Sequence, residues 1–366
     1  MKIVSTSYVN THEYADPEKW LDRISFYTGL LEELAKQYQV ESIEQINYEG
    51  IRKQNGVTYH FLNFKKKKLY FPFTLHRYIK NLRPDIVFVN GFVFPFQNIQ
   101  LRKTLGQNVK IIVLHRAEKP FTGVKSYLQK IADRSIDGYL FVSAEFAEEW
   151  IKKGIIKSKK KIYEVIQSSS PFLPESKEVS KKILQLSGDP VFLWVGRLDK
   201  NKDPITVVKA FTRYLSIQPA ARLYMIYQDD KLLTEVKDLI NVDNKGGIIL
   251  VGKVEHQLLQ LWYNAADYFI SGSHYEGSGI AVCEAMSCGC IPILTNIISF
   301  RRMTGPNKCG SLYEAGNAEH LLSVLLKTNE MNIEVERKKT LEQFNQELSF
   351  EAIAKKITKV ITSINA

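Results

Sequence analysis

Short apolar runs alternate with amphipathic stretches along most of the chain. Residues 2–7 (KIVSTS) begin it as a buried strand, and 26–37 place apolar side chains at helical spacing. Three apolar runs follow, at 85–90 (DIVFVN, rich in β-branched residues), 110–114 (KIIVL) and 137–142 (DGYLFV), each reading as a strand, the first two as buried ones. Helices are predicted at 126–133 and 144–152, the second with Ser143 as its N-cap. Residues 168–174 (SSSPFLP) and 187–190 (SGDP) flank a short polar helical stretch, and such Ser, Pro and Gly clusters mark a linker. The alternation then restarts. Strands are predicted at 191–195, 222–227, 247–251, 268–271 and 290–295, and helices at 204–214, 256–265, 278–287 and 318–327. Pro204 suits a first helical turn, and Gly289 stops the 278–287 helix. The last 35 residues read as helix, polar around 330–346 and amphipathic over 350–364.

Strands alternating with helices predict an α/β protein with two doubly wound parallel sheets. The expected domains are 1–170 and 189–347, joined by a linker at 171–188, with a final helix at about 348–366 packed back on the first. A length of 366 residues fits two domains. Ligands of such sheets lie outside the carboxyl ends of the strands, and two domains facing each other across a cleft suit a reaction between two substrates.

Composition changes this picture little and charge changes it more. The hydrophobic fraction of 45% and charged fraction of 24% are those of a soluble globular protein. The net charge is +11, and all of it lies in the first half: residues 1–183 carry 30 Lys and Arg against 19 Asp and Glu, whereas the rest is balanced. That asymmetry fits an anionic partner or surface, or a well-solvated face. Lys65, Lys66, Lys67 and Lys68 sit among Phe64, Tyr70, Phe71 and Phe73. Such a segment can rest on an anionic membrane, each Lys contributing about 1 kcal/mol, or stand as a solvated loop. No nucleic-acid module is recognisable, so nucleic acid is not an expected partner. No apolar run approaches a membrane span and no signal peptide is recognisable, which predicts a cytoplasmic location, at most peripheral at the inner membrane face. Cys283, Cys288, Cys290 and Cys309 lack paired CxxC units or nearby His pairs; they read as small buried thiols, with neither a metal site nor a disulfide framework expected.

Three segments carry candidate chemistry. Gly196 and Arg197 through Pro204 form a strand-to-helix loop in which an Arg fork and the Lys202 ammonium suit a diphosphate. Glu276-Gly277-Ser278-Gly279-Ile280 precedes a helix, so its amides and the helix dipole favour an anion, with Ser278 a possible cap. Glu276, just outside those amides, is placed for sugar hydroxyls rather than phosphate. Glu284, in the following helix among Cys283, Ala285 and Met286, reads as a half-buried carboxylate able to accept two ribose hydroxyls. Each reading has a plain competitor in solvated loop cations, a simple turn and a surface Glu. The three together, all at strand ends of one domain, weaken those competitors.

These segments resemble the retaining glycosyltransferases of family 4, with the GT-B fold. The likeness runs through Val195-Gly196-Arg197 with Lys202, then residues 276–286 with Glu276 and Glu284 separated by seven residues, then Gly289-Cys290-Ile291-Pro292. It continues through Ser299-Phe300-Arg301 to Gly310-Ser311-Leu312-Tyr313 and Gly316-Asn317-Ala318-Glu319. It is strong over about 190–327. The resemblance implies a hexose-type transfer from a nucleotide-diphosphate sugar, UDP-linked rather than GDP-linked, to a sugar or lipid-linked hydroxyl acceptor, in cell-surface polysaccharide or glycolipid synthesis. It implies no cofactor and no metal, because fixed cations and amides stabilise the leaving group. Arg197 and Lys202 would neutralise the diphosphate, Glu276 contact the donor sugar, Gly277 to Ile280 offer amides, Glu284 hold the ribose, and the backbone near Val254 read the base. His115, after the 110–114 strand, is similar to a family histidine delivered to the reacting sugar. Asn90 and Gly91 fall on the acceptor side. Two departures stand out: residues 5–12 lack the Gly-Gly loop common after the first strand, and Ser278 stands where many members are bulky. Competing readings are a sugar phosphorylase, a nucleotide-sugar epimerase and a non-catalytic partner subunit.

Overall fold

The computed structural model describes residues 1–64, 66–243 and 246–365. The chain divides into two compact units, one of Met1–Ser169 with Phe350–Ala366, the other of Ser170–Ser349.

The first unit is built on an eight-stranded sheet of β1 (Lys2–Thr6), β2 (Gln39–Glu44), β3 (Gly50–Gln54), β4 (Val57–Phe61), β5 (Ile86–Asn90), β6 (Lys110–Leu114), β7 (Gly138–Phe141) and β8 (Ile162–Glu164). The spatial order is β3-β4-β2-β1-β5-β6-β7-β8, and among the described residues only the β3–β4 pair of this sheet is antiparallel. The apolar runs at β5, β6 and β7 are buried throughout, as covered parallel strands must be. Val87, Val89, Ile111, Val113, Phe141 and Trp150 belong to one core. Ser143 caps the helix Ala144–Lys152 by accepting from the Glu145 amide. The helix Phe350–Asn365 buries Ile353, Ile357 and Ile361 and joins this unit, where the Phe350 ring lies against Gly29.

β2 and β4 form no plain apolar run in the sequence because their buried positions are partly polar, and β3, at the sheet edge, is largely exposed. Glu41 accepts from Lys2 Nζ at 2.9 Å and pairs with His60 Nε2 at 2.8 Å, while the other His60 nitrogen meets the Tyr78 hydroxyl at 2.8 Å. Those bonds satisfy side chains that would otherwise be costly to bury.

The second unit has a six-stranded, all-parallel sheet: β9 (Val191–Gly196), β10 (Arg222–Tyr227), β11 (Ile248–Gly252), β12 (Tyr268–Ser271), β13 (Ile291–Thr295) and β14 (Ser311–Tyr313), in the order β11-β10-β9-β12-β13-β14. The sequence winds outward from β9 in one direction, then outward from β12 in the other. The crevice between β9 and β12 is therefore the topological switch point, where sheets of this type bind ligands. Phe192, Trp194, Phe211, Tyr214 and Tyr268 fill the core beneath it.

Local structure departs from expectation in three places. The 171–188 segment belongs to the second unit instead of standing apart as a linker; its expected short helix is Lys177–Ile183, capped by Ser176, and its start is tied down where Asn264 accepts from the Glu175 amide at 2.6 Å. The helix expected at 278–287 begins at Ile280, with Gly279 rather than Ser278 at its N-cap. Gly279 takes φ +52°, a conformation that favours glycine over serine. The polar stretch near 330–346 holds a separate helix, Ile333–Gln343, within the second unit.

Candidate functional site

In the second unit, Lys202 and Glu276 meet at the switch point. β9 ends at Gly196, and the loop 197–203 leads into the helix Pro204–Leu215 with Pro204 at its first turn. Asp203 caps that helix, accepting from the Thr206 amide at 3.1 Å. After β12 the chain crosses the loop closely. A Cβ on Gly272 would stand 2.8 Å from the Asp203 carbonyl oxygen and 3.0 Å from that of Lys202, so glycine is required by space. The His274 amide donates to the Asn201 carbonyl at 2.8 Å, and Asn201 Nδ2 donates to the Tyr275 carbonyl at 3.0 Å. These bonds bring the Lys202 ammonium to the Glu276 carboxylate at 2.5 Å, both half-buried.

Arg197 is exposed and pairs with Asp199 at 3.2 Å. Gly196 ends its strand with the Trp194 ring 3.2 Å and Lys202 Cδ 3.5 Å from where a Cβ would be. Glycine there leaves room for the Lys202 side chain.

Beyond Glu276, Gly277 and Ser278 lead to the Ile280–Ser287 helix. A Cβ on Gly279 would lie 2.9 Å from the Phe300 ring and 3.3 Å from Met303 Sδ. The Phe300 helix, Ile298–Thr304, thus packs directly under the turn. Helix geometry leaves the first-turn amides, Ile280 and Ala281 among them, without intrahelical acceptors, and the positive end of the dipole lies there.

Glu284 is fully buried rather than half-buried, at 4% exposure. One carboxylate oxygen meets His256 Nε2 at 2.6 Å and the other accepts from the Tyr263 hydroxyl at 2.9 Å. Burial, then the neighbouring Glu284, pushes the Tyr263 hydroxyl well above its usual range, so it stays a donor. The His256 contact ties the loop after β11, which carries Val254, to the Glu284 helix. Neither His256 nor Tyr263 was expected at the site. They lie 28 and 21 residues from Glu284, and no spacing rule links them.

The first unit has its own switch point between β1 and β5, since β2 and β4 wind off one side and β6 to β8 off the other. His115, buried with its ring centroid 4.3 Å from that of Phe141 and tilted by 30° to it, follows β6. Nε2 of His115 donates to the Glu118 carbonyl at 2.9 Å, and Nδ1 accepts from the Ala117 amide at 3.3 Å. Burial lowers its pKa. The ring therefore holds the following turn as a neutral imidazole. Gly91, with φ +95°, admits the Glu118 carboxylate, which accepts from the Phe92 amide at 2.9 Å and the Arg116 amide at 2.7 Å. A Cβ on Gly91 would be 2.8 Å from that carboxylate. Asn90 Nδ2 donates to Ser5 Oγ at 3.2 Å, and its oxygen accepts from Arg116 at 2.5 Å.

Lys65 lies outside the described residues, as do the side chains of Lys66 and Lys67. Near them Tyr70, Phe71 and Phe73 are exposed, Phe71 at 61%. Among the described residues no helix is long and apolar enough to cross a membrane, and no group of three or more His, Cys, Asp or Glu is placed to hold a metal ion. All four cysteines are buried, and burial raises their thiols, Cys288 to about 12.

Residues 175–347 match the family described as glycosyl transferases group 1. A stretch of 190 residues is 27% identical to the alpha-monoglucosyldiacylglycerol synthase of Streptococcus pneumoniae, covering 50% of this chain and 40% of that protein. The chain spans less than half the length of the curated relatives it matches first. Among solved structures, a glycosyltransferase from Rickettsia africae superposes with a TM-score of 0.75 at 16% identity, over 99% of this chain and 98% of that one. Anabaena HepE, in complex with UDP and glucose, gives 0.71 at 13% identity over 99% and 100%. Both likenesses run the length of the chain, and the fold they share with it is GT-B.

Proposed function

We propose, from the premise that residues 175–347 belong to the group 1 glycosyl transferases, that this chain is a retaining, metal-independent glycosyltransferase. It moves a hexose-type sugar from a UDP-sugar to a hydroxyl acceptor. The observation that carries the reading is the Lys202–Glu276 contact at the switch point, beside the Gly277–Ile280 turn. A cation, a carboxylate and a helix N-terminus converge where a sugar diphosphate has a use for each.

Arg197 and Lys202 stabilise charge on the diphosphate as the anomeric bond breaks, with the amides from Gly277 to Ile280 adding donors. Glu276, held by Lys202, accepts from sugar hydroxyls. Glu284 takes the ribose hydroxyls, with the part-exposed His256 yielding its oxygen and Tyr263 keeping the other. The backbone at Val254 meets the base. The acceptor hydroxyl attacks from the face the diphosphate leaves, and a diphosphate oxygen takes its proton, so configuration is retained. Asn90 and Gly91 lie on the acceptor side, and His115 sets the turn beside them. HepE in complex with UDP and glucose supports the UDP donor. Relatives named as a glucosyldiacylglycerol synthase and an O-antigen mannosyltransferase support a lipid-linked or polysaccharide acceptor.

Thermal unfolding with UDP, GDP and ADP tests the donor. At a hundred times its dissociation constant UDP stabilises by about 2.7 kcal/mol, and GDP and ADP do less. Arg197→Ala removes most of the UDP shift. Flat curves with all three nucleotides refute the reading.

The protein is a cytoplasmic one that touches the inner membrane face through Lys65 to Lys68 with Tyr70, Phe71 and Phe73. Co-sedimentation with phosphatidylglycerol vesicles is expected at low salt and is lost at high salt, as surface attraction is screened. Equal recovery with neutral vesicles contradicts it.

A further inference from the structure

Among the described residues, no carboxylate side chain pairs with the half-buried cation Arg116. It follows His115 at the carboxyl end of β6, next to the first unit's switch point. Its guanidinium donates to Asn90 Oδ1 at 2.5 Å, and to the Gln167 carbonyl and Ser168 Oγ at 3.4 Å each. It lies over the Tyr27 ring at 4.9 Å. All these partners are neutral. Glu118, the nearest acid by charge effect, spends its oxygens on the Phe92 and Arg116 amides. Burial lowers the Arg116 pKa, the direction expected of a cation that has lost water without gaining an ion pair.

The surroundings lack bonds as well as charge. Gln167 is fully buried, and among the described residues its Oε1 has no hydrogen-bond partner; Thr6 Oγ1, next to the carbonyl that takes the Asn90 amide, has none either. An Arg fork matches phosphate oxygens in pairs, and the first half of the chain carries the whole net positive charge.

We infer that Arg116 is the centre of an anion site in the first unit, and that it takes the phosphate or phosphodiester group of the acceptor. The word acceptor rests on the glycosyltransferase reading; the anion site does not. Arg116 thereby selects acceptors that carry such a group close to the hydroxyl that is glycosylated.

The test is thermal unfolding of the full chain with UDP saturating, so that the second unit's diphosphate site is filled. Sodium phosphate is then titrated against sodium chloride at equal ionic strength. Phosphate at ten times its dissociation constant is expected to raise Tm by about 3 °C over chloride. Arg116→Gln abolishes that rise and leaves the UDP shift intact. Should Arg116→Gln not fold, Asn90→Asp serves: it sets a carboxylate on the guanidinium, which excludes phosphate while UDP still binds. No rise over chloride in the parent chain, or the same rise in the folded variant, overturns the inference. A chain that responds to UDP but not phosphate loses only this site. A chain that ignores UDP loses the glycosyltransferase reading, whatever phosphate does.

Discussion

Lys202→Ala lowers kcat by about 10²–10³-fold, the loss typical when one fixed electrostatic group aimed at developing charge is removed. The diphosphate gains charge as the sugar leaves, so the ammonium is worth more in the transition state than in the bound donor. KM for the UDP-sugar therefore rises much less than kcat falls. Part of the loss passes through Glu276, whose carboxylate is held by Lys202 at 2.5 Å. Lys202→Ala combined with Glu276→Ala thus costs less than the two single losses together, because the residues share one contact. Lys202→Ala also leaves the half-buried Glu276 carboxylate without this partner and lowers stability by about 1–3 kcal/mol, too little to unfold the chain at assay temperature. Steady-state kinetics with calorimetry on the same samples checks this. A variant retaining kcat within a fewfold of the parent removes Lys202 from the chemistry.

Gly279→Val destabilises the second unit by about 3–4 kcal/mol. Its left-handed φ of +52° costs a side-chain-bearing residue about 1–2 kcal/mol. The new Cβ stands 2.9 Å from the Phe300 ring, and overpacking of that kind costs a further 1–3 kcal/mol. For a unit of this size the sum lowers Tm by roughly 10 °C. UDP binding weakens too, because relieving the clash moves the amides at the start of the Ile280–Ser287 helix. Gly279→Ala keeps the backbone cost and part of the clash, and falls between. Scanning calorimetry with and without UDP measures both effects. An unchanged Tm in Gly279→Val contradicts the packing described for Phe300.

Much of the second unit was legible in the sequence, because its strands are covered on both faces and read as plain apolar runs. The loops after β9 and β12 carry their candidate residues close together in sequence, so Lys202 and Glu276 could be singled out by motif alone. Their contact needed the fold, which brings residues 74 apart to 2.5 Å. Glu284 was singled out too, but its burial and its bonds to His256 and Tyr263 were not, since those partners come from other elements. In the first unit β2 and β4 escaped notice because Glu41, Ser42 and His60 are buried polar residues that break the apolar pattern. Arg116 was passed over beside His115, whose ring turned out to serve the 116–118 turn. The start of the Ile280–Ser287 helix was misplaced by two residues, because Ser278 is a good cap by composition while Gly279 has the required conformation.

The first unit is not continuous in sequence: the chain leaves it at Ser169 and returns at Phe350. During vectorial synthesis its sheet can form early, yet the groove around Gly29 stays open until residue 350 emerges from the ribosome. A Cβ at Gly29 would stand 2.4 Å from the Phe350 ring, so the last helix seats there with no room to spare. Completion of the Met1–Ser169 part therefore waits for the helix that begins at Phe350, and a nascent chain stalled before residue 350 holds an unfinished first unit.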